Sequence, residues 1–153
     1  MHSRIFQAST KPIKEYEYLS ESDYWEHWFL NSVADYVVDS DDRDEDIKWL
    51  KDYAKGYMVD RDENGDYFVI TSKVEYFENS FKNFTKLLDK IKNYTIENFV
   101  AGIHEMWGLK NAYEETFGFY VDMNGELLSF DSFVRHCTEG EKYYIGGTLD
   151  YHA

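Results

Sequence analysis

Two Asn-Gly dipeptides, Asn64-Gly65 and Asn124-Gly125, each lie between apolar stretches, and they restrict the fold more than any other feature of the chain. A two-residue turn that follows the twist of paired strands needs positive φ at both central positions, and Asn and Gly reach that region most easily. Residues 57–60 and 67–71 therefore read as one hairpin, and residues 117–122 and 126–129 as a second. Between them Val74, Phe77, Phe81, Phe84, Leu88 and Ile91 are spaced 3, 4, 3, 4, 3. That spacing predicts an amphipathic helix over 73–92, with Lys82, Lys86, Lys90 and Lys92 on its other face.

Weaker signals fill in the remainder. Residues 3–9 alternate loosely and read as a first strand, ended before Pro12. Ser20-Glu21-Ser22-Asp23 has the form of a capping box, and Trp25, Trp28, Phe29, Val33, Tyr36 and Val37 follow at helical spacing, predicting a helix over 21–38. Ile47, Leu50, Tyr53 and Ala54 predict a short helix closed by Gly56 as its C′ residue. Thr95 reads as the cap of a helix with Phe99, Val100, Ile103 and Trp107 on one face, ended by Gly108. A short helix is expected near 131–137, then a last strand beginning Tyr143-Tyr144-Ile145 and bent or bulged at Gly146-Gly147. Helices and hairpins without regular β-α-β alternation imply one α+β domain over residues 1–153. Its sheet, antiparallel or mixed, would have about five to six short strands and pack with about four to five helices. With 4 Trp, 14 Tyr and 11 Phe, the core is expected to be built largely from rings.

Charge narrows the function. The net charge is −14, which disfavours direct contact with nucleic acid or an anionic membrane and favours a basic protein partner. Residues 1–14 carry three bases and no acid. Residues 15–66 carry 17 acids against five bases, net −12, and residues 67–153 carry 13 against eight, net −5. The single cysteine, Cys137, excludes an intrachain disulfide. There is no apolar leader and no run of 18 apolar residues, so neither a signal peptide nor a membrane span is expected, and the compartment is read as cytoplasmic.

No motif assigns a chemistry. Asp60-Arg61-Asp62-Glu63-Asn64-Gly65 matches the first half of a calcium loop, but the twelfth position is Thr71, which cannot supply the bidentate carboxylate. The segment reads as a polar turn. The five histidines lack zincin spacing, and His104-Glu105 has Gly108 where a second histidine would stand. His136 and Cys137 are adjacent, so their side chains diverge. No phosphate loop or nucleophile elbow occurs, and no cofactor or metal is expected.

The acidic block is what remains. Asp39, Asp41, Asp42, Asp44, Glu45 and Asp46, extended by Asp35 and Asp52, are the expected binding residues of a docking surface for a basic groove. Size and charge are those of DNA-mimicking inhibitors and immunity-type proteins, a likeness of composition and not of motif. The expected function is an acidic interaction protein that binds and blocks a basic protein surface. The alternative is a small enzyme with a carboxylate or histidine site near His104, Glu105, Asp131 and His136.

Overall fold

The computed structural model describes all 153 residues. Its α+β fold is built on one mixed sheet of seven strands: β1 (His2–Ser9), β2 (Tyr36–Asp39), β3 (Tyr57–Asp62), β4 (Gly65–Ile70), β5 (Tyr120–Met123), β6 (Glu126–Ser129) and β7 (Lys142–His152). The order is β3-β4-β7-β1-β5-β6, with β2 paired to the far end of β7. β1 and β5 run parallel, and every other pair is antiparallel. Both predicted hairpins form, β3–β4 and β5–β6, but only the second turns at its Asn-Gly. Asn124 and Gly125 take φ 56° and 85° between the paired Met123 and Glu126, whereas in the first Asp62 pairs with Gly65, so the turn is Glu63-Asn64 and Gly65 already belongs to β4.

Five α-helices accompany the sheet: α1 (Arg43–Asp52), α2 (Lys73–Lys92), α3 (Ile96–Ala101), α4 (Glu105–Tyr113) and α5 (Phe130–His136). Helices α1 and α5 cover one face and bury Phe6, Leu50, Phe68, Val121, Phe130, Phe133 and Ile145 with it. The other face is covered by an irregular layer, residues 19–34, over Ile5, Tyr120, Leu149 and Tyr151.

The bulge predicted at Gly146-Gly147 lets one strand serve both faces. β7 pairs Phe6 with Thr148 and Ala8 with Ile145, so it carries one residue more than β1 across this step. One extra residue inverts the alternation of side chains. Tyr143 and Ile145 therefore enter the α1/α5 core, while Leu149 and Tyr151, of the same odd parity, enter the opposite one.

The predicted helix over 21–38 does not form. Glu21–Tyr24 is a single 3-10 turn, Asn31 takes φ 67°, and Tyr36–Asp39 is a strand. The end of β7 needs a partner, and Tyr-Val-Val, poor in helix propensity and suited to a pleat, supplies it. Tyr24, Phe29, Ala34 and Val37 are buried, and the tryptophans that suggested the helix lie outside. The helix starting at Thr95 is also shorter than expected: Gly102, at φ +105°, stops it, and Gly108 lies inside α4. A Cβ at 108 would stand 3.3 Å from Leu87 Cδ1, so this glycine permits close packing of α4 on α2. Gly56 is not the C′ residue of α1, which ends at Asp52; it lies against the first turn of α2. No helix is long and apolar enough to cross a membrane.

Candidate protein-binding face

The structure divides the acidic block instead of presenting it whole. Asp42 is the N-cap of α1: its side chain accepts the Glu45 N–H at 3.0 Å, and Asp44, Glu45 and Asp46 occupy the first turn, where the helix dipole favours negative charge. Asp46 points inward and is only 3% exposed, binding Arg4 Nε and accepting the Thr148 hydroxyl at 2.6 Å. It offers no charge to a partner. Asp44 lies 3.9 Å from both Arg43 and Arg61, and Glu45 lies 3.6 Å from Lys48. Asp52 is exposed at the other end of α1, and Asp35 lies 3.2 Å from His152 Nδ1.

Asp39, Asp41 and Asp42 remain at the surface, and the fold adds acids the sequence reading had not placed with them. The Glu21 N–H donates to Asp39 Oδ1 at 2.8 Å, and the Asp39 N–H donates back to Glu21 Oε2 at 3.4 Å. These bonds fasten the Glu21–Tyr24 turn to the end of β2 and bring Glu21 and Asp23 to the same surface. Asp23 accepts the Ser20 N–H, closing the capping box recognised in the sequence. Trp25, two residues on, is 71% exposed, and Trp28 is 56% exposed. Tyr24, just before Trp25, is buried and donates to the buried Asp122 at 2.8 Å. Burial first, and then the Asp122 carboxylate, push its phenol well above the ordinary range.

The bases near this face are engaged with Asp66 and the backbone. Arg43 donates to the Gly146 and Ile145 carbonyls at 2.7 and 2.8 Å and to Asp66 at 2.9 Å. It therefore clamps the β7 bulge to the β3–β4 hairpin. Arg61 also binds Asp66. Burial pushes the Asp66 carboxyl up, but hydrogen bonds and charge from Arg61 and Arg43 outweigh it and hold the group below the usual range.

The residues considered for catalysis do not converge. His104 stands at the N-cap of α4 without a side-chain capping bond. Glu105 is tied to Lys90 at 2.5 Å, and hydrogen bonds from Lys90 and then Tyr94 hold it down to about 2. His136 Nδ1 meets the Ser132 carbonyl, and Cys137 donates to the Val134 carbonyl, its thiol raised by burial. Asp131 is buried, accepting Tyr76 OH and Glu115 N–H at 2.7 Å each. It lines a cavity of about 560 Å³ with Glu115, Lys55, Trp49, Tyr53 and Phe119, and none of His104, Glu105 or His136 reaches that cavity. Glu115 lies at the rim, its carboxyl pressed toward Gly118. Burial first and the Asp131 charge second raise it above the usual carboxylate range. No three His, Cys, Asp or Glu side chains gather where they could hold a metal ion.

The Asp60–Gly65 segment is the end of β3, the Glu63-Asn64 turn and the first residue of β4. There Asp62 accepts the Asn64 N–H and binds Lys142 and Tyr144, so its oxygens are engaged within the fold. No family model matches the chain, and no curated protein or solved structure matches it.

Proposed function

We propose that the protein binds a basic protein surface and blocks it, as a DNA-mimicking or immunity-type inhibitor does. The observation that supports this reading is the reciprocal Glu21–Asp39 pairing, which joins the turn carrying Glu21, Asp23 and, after it, the exposed Trp25 to the strand end that leads into Asp41 and Asp42. Like charges so grouped repel in the free protein and are relieved by a cationic partner. Trp25 supplies what charge alone cannot, a large apolar anchor at the centre of a contact. A groove that normally holds nucleic acid has the matching properties, being basic and accustomed to evenly spaced negative charge.

The test compares capture from extract of the native host by the wild type, by an Asp39→Asn/Asp41→Asn/Asp42→Asn triple variant and by Trp25→Ala. A partner is expected that the wild type retains, both variants lose, and salt releases as the screening length falls from about 8 Å at 0.15 M to about 3 Å at 1 M. The purified partner should lose nucleic-acid binding when the protein is added. Capture that is indifferent to salt and to all three aspartates refutes the reading.

A second reading, a small enzyme or ligand-binding protein, has one observation in its favour: the cavity beside Asp131 and Glu115. Its test is a ligand screen by thermal shift, in which Glu115→Gln abolishes any stabilisation found.

A further inference from the structure

Helices α2, α3 and α4 contain no buried residue, although they are rich in apolar side chains. The base of α2 is fastened to the sheet body. Tyr76 and Phe77 pack on the core, the Lys73 ammonium donates to the Arg135 carbonyl, and the Arg135 guanidinium lies over the rings of Phe77 and Tyr113. Beyond that base α2 packs mainly on α4. The three helices thus form an arm attached at one end.

The apolar residues of α2 follow a seven-residue repeat in two sets. Phe77, Phe84 and Ile91 are half-buried. Val74, Phe81 and Leu88, seven apart, return to one line along the helix and are 83, 65 and 40% exposed. Ile96, Phe99 and Val100 on α3, and Met106 and Trp107 on α4, are each more than half exposed. Scaled by ordinary side-chain areas, these eight residues expose roughly 900 Å² of apolar surface. One side of an ordinary stable interface is about 800 Å². Between α2 and α4 an apolar groove of about 280 Å³, lined by Phe77, Ser80, Phe81, Phe84, Ala112 and Tyr113, has room for an apolar knob.

Charge identifies the occupant. Residues 73–113 carry six lysines against five acids, net +1, which leaves −15 on the rest of the chain. Two copies meeting through their bodies would oppose −15 to −15, whereas two copies meeting through their arms would not. Along α2 residues 73–80 carry Glu75 and Glu78 against Lys73, and residues 85–92 carry Lys86, Lys90 and Lys92 against Asp89. Glu78 and Lys90 already pair within the chain, with Lys82 and Glu105, so a weaker acidic-to-basic gradient remains along the helix. An antiparallel pair of α2 helices sets the acidic end of each beside the basic end of the other and opposes their dipoles, and two-fold symmetry makes each such contact twice.

We propose that two copies of this chain pair arm to arm through this surface, with the Val74–Phe81–Leu88 lines of their α2 helices antiparallel. The pairing does not depend on what the acidic face binds.

Sedimentation velocity of the full chain over a concentration series tests it. A species of twice the 18.3 kDa chain mass is expected. Its formation should strengthen with added salt, because screening relieves the repulsion between acidic bodies. Phe81→Glu and Leu88→Glu, both at exposed positions, should keep the wild-type circular dichroism and weaken association at least about tenfold. Trp25→Ala should leave association unchanged. A chain that stays monomeric at hundreds of micromolar in high salt overturns the proposal. So does a dimer insensitive to both glutamate variants, or one lost in Trp25→Ala. An arm that remains free in the purified chain and is instead covered by a different protein overturns it as well.

Discussion

Asp46 lies within the acidic run, yet the structure makes it part of the core, so Asp46→Ala separates that residue from its exposed neighbours. The substitution removes the buried partner of Arg4 and leaves the Thr148 hydroxyl without an acceptor. Breaking a buried ion pair from one side costs about 3–5 kcal/mol, because the remaining charge is stranded. Arg4 is not wholly stranded: its side chain is 19% exposed, and Nη1 keeps Asp150 at 2.7 Å. That lowers the pair's share, and the lost hydroxyl bond adds about 1 kcal/mol, for a net loss of about 2–3 kcal/mol. In a chain of this length the loss lowers the melting temperature by roughly 5–10 °C. The assay is urea unfolding followed by circular dichroism, with Asp41→Asn as control, where a change within about 0.5 kcal/mol is expected for an exposed loop residue. The Arg4→Met/Asp46→Leu double variant, which replaces the pair with apolar volume, should recover most of the loss. If Asp46→Ala costs no more than Asp41→Asn, the inward reading of Asp46 is wrong.

Gly56→Ala should destabilise the fold by about 3 kcal/mol or more: the residue sits at φ +72°, and its Cβ would lie 2.8 Å from Tyr76 Cα and closer still to Tyr76 N and Ser72 O. A urea midpoint within error of the wild type would contradict this close approach. Glu115, raised by burial and then by Asp131, binds its proton more tightly in the folded chain, so its contribution favours folding below the ordinary glutamate value and is lost as pH rises through its folded one. Glu115→Gln should therefore be more stable than the wild type at pH 7, with the gain vanishing below about pH 4; a gain that grows on acidification would reverse the sign. Cys137, raised by burial, should react with iodoacetamide at pH 8 more slowly than a free model thiol.

What could be read in the sequence was what short-range chemistry decides. Asn124-Gly125 set its hairpin because only a few residue types accept the required backbone, and no distant contact had to be known, whereas Asn64-Gly65 marked the first hairpin one residue late, its turn being Glu63-Asn64. The α2 boundaries follow from a strict spacing, and in the structure Ser72 caps the start by accepting the Glu75 N–H. The 21–38 segment failed for the opposite reason. Its aromatic periodicity was helical, but the unpaired end of β7, more than 100 residues away, took Tyr36–Asp39 as a strand. Periodicity placed the apolar faces of α2 but could not give their depth, since it reports which residues share a face and not whether anything covers that face.

The same distinction governs the acidic face. A charge run identifies where repulsion accumulates along the chain, but each member has a local alternative to solvent. Asp42 caps a helix, Asp46 meets Arg4, and Asp39 grips a turn whose own acids then join it. Those local roles hold the backbone that carries the remaining charges, so the exposed carboxylates are displayed from a fixed frame. Fixed charge loses less conformational entropy on meeting a partner than the same charge on a mobile tail. That favours a contact with defined geometry over diffuse attraction, and a variant that loosens the Glu21–Asp39 pairing should weaken binding by more than the single charge it removes.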